Sequence, residues 1–214
     1  MHTQRIILPS DEALSADLVE KIQQLNKGNP DFHTYSTRVR DLFCLPQITI
    51  SEKELLYLAG FIEGEGSVSI SLKKNRFTPF GVEIDPVFNI TQHINGVNHL
   101  YLALEVFKTG RIRYKTGSNA TLVFVIEPRE SLEKNVCPYY DKNVYPLSSP
   151  AKQIRYTHFK KILKLFSDEA HLDRSRMINE MLPLWDEMRM QRGYKGETFA
   201  SLKEAQEYVR DFKK

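Results

Sequence analysis

Residues 58–67 read LAGFIEGEGS, an apolar stretch that runs straight into Glu63 and Glu65, interleaved with Gly64 and Gly66. If the apolar stretch is a helix, both acids fall at its C-terminal end, where the helix carries partial negative charge and disfavours them. A divalent cation resolves the conflict. Hard ions such as Mg²⁺ take carboxylate and carbonyl oxygens together, and a helix end offers unpaired carbonyls beside Glu65. Gly66 lets the chain leave without a side chain in the way. A phosphate-cradling glycine loop fits poorly, because such loops sit at helix N-termini and two glutamates repel an anion. A solvated glutamate at a frayed helix end is the plain alternative.

One Glu65 makes a poor metal site, and the chain has no second acidic motif of this form. Leu56, Ala59, Gly60 and Glu63 lie on one helical stripe, with Gly60 and Gly64 four apart. Small residues on a stripe let another backbone come close. Pairing of this stripe with its own copy across a two-fold axis would bring two Glu65 side chains together. That arrangement suits two metal ions assisting in-line displacement at phosphorus. A core helix with a glycine C-cap is the competing reading.

The elements that must position these residues follow from local patterns. Ser51 with Glu54 forms a capping box, and Ile50 with Leu55 forms a hydrophobic staple, so a helix is expected from about Ser51 to near Gly64. Strict alternation then sets Ser67, Ser69, Ser71 and Lys73 on one face of a strand, with Val68, Ile70 and Leu72 on the other. A loop over 74–81 leads to a second, antiparallel strand over 82–92. Asn95 is expected to cap a helix that Gly110 stops. A second hairpin follows, with Arg111, Arg113 and Lys115 facing one way, a turn at 116–119 and a strand through Ile126. A short helix to about Tyr140 is expected next. Ser149-Pro150 then opens a helix to about Phe166, which carries Lys152, Arg155, Lys160, Lys161 and Lys164 and no acid.

Outside that core, Ser10 is expected to cap a helix over 11–25, Gly28-Asn29-Pro30 to break it, and a second helix to cover 36–43. At the other end a helical region over 173–191 is interrupted by Pro183, and 201–212 forms a closing helix. The reading is an α+β chain with an N-terminal helical appendage (1–48), a core (49–166) and a C-terminal helical extension (167–214), in one compact unit.

The polar face of the two hairpins holds Ser67, Ser69, Ser71, Lys73, Asn89, Thr91, Arg111, Arg113, Lys115 and Thr121. These donors and acceptors suit base edges and phosphates, and a β-ribbon fits the major groove. A solvated sheet face is the commoner use of such residues. The alternate basic positions and the basic helix at 152–164 favour nucleic acid. The overall net charge of +3 says little by itself.

The totals exclude other classes. The 214 residues are 41% hydrophobic and 27% charged, as in soluble globular proteins. There is no run of about 18 apolar residues, so no membrane span is expected. The acids Asp11, Glu12, Asp17 and Glu20 argue against a secretory signal or transit peptide. Cys44 and Cys137 are too few for a disulfide scaffold or a cysteine zinc site.

Taken together, LYLAGFIEGEGS followed by a β-β-α-β-β-α order resembles the LAGLIDADG homing endonucleases, over roughly residues 50–165. The likeness is closest to the single-motif, homodimeric branch. FNITQHINGVNHLYLALEVFKTGRIR, TGSNATL and LPLWDEMR are similar to members encoded in chloroplast large-subunit ribosomal RNA group I introns. The resemblance implies an αββαββα core with a saddle-shaped antiparallel sheet and extra helices at both ends. It implies Mg²⁺-dependent double-strand cleavage of a pseudo-palindromic site in an intron-lacking ribosomal RNA gene, with one strand cut by each half of a homodimer. Chloroplast encoding is implied first and mitochondrial second.

By the same resemblance, Glu65 binds the catalytic metal, Gly64 adds a carbonyl ligand, and Glu63 has a structural role near the site. Gln92 positions the attacking water, Asn89 and Arg111, Arg113 and Lys115 contact bases, and the strand from Ser67 adds contacts. The motif departs from many members in having glutamates for aspartates. Where relatives place an active-site lysine, alignment puts Asn143, with Lys142 beside it as the candidate basic residue. His93 and His99 resemble a fragment of a histidine nuclease motif but lack partners at ligand spacing. An RNA-binding intron maturase and a non-cutting DNA-binding protein of the same fold are the rival functions.

Overall fold

The computed structural model describes residues 8–9, 12–189 and 198–213. Four strands form one sheet in the order β1 (Gly66–Lys74), β2 (Val82–His93), β4 (Thr121–Ile126), β3 (Arg111–Tyr114). Before it come helices α1 (Ala16–Gln24), α2 (Phe32–Leu42) and α3 (Glu52–Glu65), and α4 (Val97–Phe107) joins the two hairpins. A helical run α5 over 129–147, then α6 (Pro150–Ser167), a helical run α7 over 174–188 and α8 (Leu202–Asp211) complete the chain. The α3-β1-β2-α4-β3-β4-α5 order is the one expected from the sequence. The chain divides into two compact units, Met1–Ser67 with Phe88–Leu147, and Val68–Val87 with Ser148–Lys214. This division follows packing and cuts across the consecutive segments 1–48, 49–166 and 167–214.

In the first unit, alternation works as it should. Phe88, Ile90, Ile112, Leu122, Phe124 and Ile126 are buried, and α4 lays Leu100, Leu104 and Phe107 into the core. The Phe107 ring packs edge-on to Phe88 and Tyr139 at 5.3 and 5.2 Å and is stacked with Phe124 at 6.1 Å. Tyr139 reaches from α5 to donate to the Leu55 carbonyl of α3 at 2.6 Å, and burial raises its phenol pKa. The Ser51–Glu54 capping box starts α3 as expected, and its Ser51 side-chain hydrogen bond holds the Glu54 carboxyl below its usual pKa.

The N-terminal helices brace the edge of the sheet. Tyr35 is fully buried, and its hydroxyl accepts from Ile112 N–H at 2.7 Å and donates to Ile112 C=O at 3.2 Å. Both backbone groups of an edge-strand residue are thereby satisfied, which blunts the edge. Desolvation pushes the Tyr35 phenol up to about 12. Tyr35→Phe leaves both buried groups of Ile112 unpaired, at a cost of about 1–3 kcal/mol. A Tm drop of several degrees in a thermal melt is the expected result.

Several local expectations are corrected, some by long-range contacts and some by local caps. Ser10 and Asp11 lie outside the described residues, and α1 begins at Ala16 with Ser15 as its cap, accepting from Leu18 N–H. The reason is that Leu14 N–H donates to Asn119 C=O at 2.9 Å, which ties the preceding chain to the β3–β4 turn. Helix α2 starts earlier than Ser36, because Asp31 caps it through Thr34 N–H at 2.8 Å. Asn95 does not cap α4. Its amide pairs with both backbone groups of Leu8, at 2.9 and 2.7 Å. That helix ends at Phe107, with Lys108 in the left-handed region, before Gly110 is reached.

Pro138 and Pro183 do not end their helices. Each follows a π-helical turn, Leu132–Val136 and Met177–Met181, and sits at the start of the next α-helical segment. A wider turn there absorbs the missing N–H. Accordingly α5 continues past Tyr140 to residue 147, and α7 runs through Pro183 to Met188. Residues 190 and 191 of the expected helix lie outside the described residues.

In the second unit, Tyr156, Phe159, Ile162 and Leu163 of α6 are buried, as are Val68, Ile70 and Leu72 of β1. Arg155 is not a surface charge. Its guanidinium donates to the carbonyls of Val68 at 3.5 Å and Met188 at 3.0 Å, and burial lowers its pKa. Lys160 lies over the Tyr156 ring and Lys164 pairs with Asp168. The basic helix is therefore less available to an anionic partner than its composition suggests.

Candidate functional site

Helix α3 ends where the motif acids stand. Gly66 N–H closes the last turn onto Ile62 C=O, and Gly66 leaves in extended conformation. The Gly64 carbonyl has no intrahelical donor there. Glu65 and Gly64 are exposed, and Glu63 is half-buried. One chain thus offers an exposed carboxylate beside an exposed residue's carbonyl, two hard oxygen donors of the kind that Mg²⁺ takes. Among the described residues no cluster of three or more His, Cys, Asp or Glu side chains could hold a metal. The donor set fits a hard cation only if other ligands complete it.

The same helix carries an unusual outer face. Leu56 is 56% and Tyr57 50% exposed. A Cβ added at Gly60 or Gly64 would meet nothing within 4 Å. Ala59, by contrast, is 6% exposed and packs inward. Beside the stripe, the Tyr57 hydroxyl lies 3.1 Å from His99 Nδ1, and the Phe61 ring packs on His99 at 4.8 Å. His99 of α4 is thus an aromatic packing partner of α3.

Gln92 and Lys142 have distinct surroundings. Alternation puts Gln92 on the face opposite Asn89 and Thr91, opposite Leu122 in β4. Its side-chain oxygen accepts from His93 N–H at 2.8 Å, and its Cγ lies where a Cβ on Gly96 would sit, 2.5 Å away. Gly96 is therefore required for that side-chain position. Lys142 is exposed on a π-helical turn of α5, Tyr140–Val144. The neighbouring Asn143 amide is used locally, donating to Tyr139 C=O at 3.1 Å.

Strand register brings the polar sheet residues into rows. Asn89 pairs with Val125, which pairs with Arg111; Thr91 pairs with Val123, which pairs with Arg113. His93 pairs with Thr121, and Lys115 N–H donates to Thr121 C=O at 2.9 Å. Neighbouring strands lie about 4.8 Å apart, so each row presents a polar side chain from β2 and a basic one from β3 across about 10 Å. Arg111 leans inward, 4.5 Å over the Tyr35 ring, and donates to the carbonyls of Pro30 and Gly110. Ser67, Ser69 and Ser71 alternate along β1 and are half-exposed.

Two acids on this face escape a reading that looks for bases. Asp85 holds Lys73 at 2.7 Å, and Glu127 holds Arg113 in a bidentate pair at 2.9 and 2.6 Å. The Glu127 hydrogen bonds raise the Arg113 pKa. Both partners of the Arg113 pair are nearly half exposed, so solvent keeps its worth near 0–1 kcal/mol. It orients the guanidinium without fixing it. The signal was present in the alternation, which sets Asp85 and Glu127 on the polar side.

An exposed acid at the end of a small-residue helix, leading into a polar-faced sheet of two hairpins, is the LAGLIDADG arrangement, and the chain belongs to that endonuclease family. The LAGLIDADG endonuclease family model matches residues 58–163. DNA endonuclease I-CeuI of Chlamydomonas moewusii is 47% identical over 211 residues, covering 97% of each chain. The solved structure of the group I intron-encoded homing endonuclease I-CeuI complexed with DNA superposes with a TM-score of 0.92 at 46% identity, over 95% of this chain and 100% of that one. The archaeal intron-encoded homing endonuclease I-Vdi141I complexed with DNA is more distant, with a TM-score of 0.65 and 27% identity over 74% and 96%. Among the described residues no helix is long and apolar enough to cross a membrane.

Proposed function

We propose that this protein is a site-specific homing endonuclease that makes a double-strand break in duplex DNA as a homodimer. The observation that carries this reading is the exposed Glu65 at the end of a helix that carries an open glycine stripe, in a chain 47% identical over nearly its whole length to a DNA endonuclease. Two copies meet along Leu56, Gly60 and their neighbours on α3, and each contributes one Glu65 and one Gly64 carbonyl. Those oxygens would hold Mg²⁺, which when bound would supply charge neutralisation at the phosphate and a more acidic water. Gln92 orients the attacking water, and Lys142 supplies positive charge nearby.

The polar sheet face reads the duplex. Serines of β1, Asn89, Thr91 and Thr121 offer hydrogen bonds to base edges and phosphates, while Lys73, Arg111, Arg113 and Lys115 supply charge. A two-fold protein calls for a pseudo-palindromic target. The target is an intron-lacking large-subunit ribosomal RNA gene, and the gene for this protein lies in an organelle, the chloroplast before the mitochondrion. That assignment rests on the intron-encoded relative and on the sequence likeness.

The decisive experiment is incubation with Mg²⁺ and a plasmid carrying such a gene without its intron. Discrete fragments are expected. An intact plasmid with tight, Mg²⁺-independent binding would favour the non-cutting DNA-binding reading, and preferential binding of intron RNA would favour the maturase. On the mapped site, Arg113→Ala should cost about 1–3 kcal/mol of discrimination at one base pair. A uniform loss at every sequence would mark Arg113 as a phosphate contact instead.

A further inference from the structure

We infer that the C-terminal helix and its trailing Phe212 act as a splint that positions the β1–β2 turn for DNA reading, so that residues remote in sequence from the strands set base preference there. The inference rests on the DNA-cutting function proposed above. All of its residues lie within the second compact unit.

The turn over 75–81 is closed by its own hydrogen bonds. Asn75 N–H donates to Gly81 C=O at 2.8 Å, and the Asn75 side chain accepts from Phe77 N–H at 3.0 Å and donates to Glu83 at 2.8 Å. The Thr78 hydroxyl lies 2.8 Å from both the Asn75 and Val82 carbonyls. A turn so closed still needs an external anchor to hold its direction. Gly81 has φ +77°, and a Cβ there would fall 2.4 Å from the Phe212 ring, so that ring lies directly on the turn backbone.

Two further contacts tie the same turn to the C-terminal segment. The Lys74 ammonium sits 5.0 Å from both the Phe199 and Tyr208 rings. Arg174 lies 5.2 Å over the Phe80 ring while donating to the carbonyls of Arg210 at 2.7 Å and Phe212 at 3.0 Å. One guanidinium therefore joins the turn to the end of α8. Phe199, Tyr208 and Phe212 form a continuous row, with centroids 5.3 and 6.0 Å apart.

What the splint presents is an apolar tip. Phe77 is 77% exposed, with the Arg76 guanidinium 4.9 Å over its ring. Neither contributes to a core. A stiff ring suits a thymine methyl or the sugar edge, and the arginine suits a guanine edge or a phosphate. A nine-residue strand extends about 30 Å, about nine base-pair steps at ~3.4 Å. The turn at its far end therefore meets base pairs well away from those met by the strand's beginning. Holding the turn rigid beforehand removes the cost of ordering it on binding.

The test uses the full-length protein and, as probe, the plasmid carrying the intron-free ribosomal RNA gene, followed by duplexes of the mapped site with single base changes. Phe212→Ala is expected to raise KM about tenfold with kcat within about twofold, to flatten preference at the outer pairs only, and to speed amide hydrogen exchange at residues 75–81. Phe212→Tyr should restore all three. Lys74→Met, at an exposed position, should loosen the turn in the same way should Phe212→Ala fail to fold. Phe77→Ala should lose the outer preference with exchange at 75–81 unchanged. Unaltered exchange in the Phe212 and Lys74 variants, or a kcat loss with outer preference intact, would overturn the splint. A wild-type protein that cuts no probe counts against the endonuclease reading, while the exchange measurement still decides the splint.

Discussion

Glu65→Gln should bind its DNA site and dimerise as the wild type does, yet lose Mg²⁺-dependent cleavage by about a thousandfold or more. The substitution keeps size and shape and removes the charge. Glu65 is exposed at the last position of α3, so no packing is lost. Removal of an anion from a helix C-terminus is mildly favourable, by about 0.3–1 kcal/mol. Thermal stability should therefore hold or rise slightly. The amide is a far weaker ligand for a hard cation than the carboxylate. Losing several kcal/mol of metal-derived transition-state stabilisation corresponds, at about 1.4 kcal/mol per tenfold, to a fall of three or more orders of magnitude. Single-turnover cleavage of the mapped duplex across a Mg²⁺ series, beside a binding isotherm on the same duplex, reads both halves of the expectation. Cleavage at the wild-type rate would remove Glu65 from the metal site, whereas joint loss of binding would show a structural role.

What could be read from the sequence was whatever short-range chemistry decides. The Ser51–Glu54 box fixed the start of α3, and period-two alternation fixed the strands, because both depend on residues within a few positions of one another. The start of α2 was a local cap passed over, Asp31 on Thr34 N–H, whereas two other helix starts were decided at a distance. Leu14 is tied to the turn at Asn119, and Asn95 is taken up by Leu8, so two plausible caps lost to contacts more than eighty residues apart. Pro183 misled for a different reason: a π-helical turn before it converts a local break into a continuing helix. At the site, the positions of Glu65 and Gly64 were legible because a helix end is a local event. The Lys73–Asp85 and Arg113–Glu127 pairs needed cross-strand placement, which the sequence implies but does not weigh. The aromatic row on Lys74 joins residues more than a hundred positions apart, and no local pattern announces it.

Gly60→Leu should separate folding from assembly, because its effects on the two have opposite sign. Within one chain, a Cβ at position 60 meets nothing within 4 Å, and leucine is the better helix former by about 1 kcal/mol. The single chain should gain stability. In a pair of α3 helices the same side chain stands where the partner backbone would approach, since a glycine stripe serves close approach and a leucine side chain prevents it. Leu56 and Tyr57, half or more exposed in one chain, would then stay uncovered. Sedimentation should show a monomer across concentrations at which the wild type forms the proposed dimer, with a thermal melt no lower than that of the wild-type chain. Cleavage should fall with dimerisation, because each chain brings one exposed motif acid and no metal cluster of its own among the described residues. Single-strand nicking by a monomer would show that one Glu65 suffices. An intact Gly60→Leu dimer would refute the paired stripe itself.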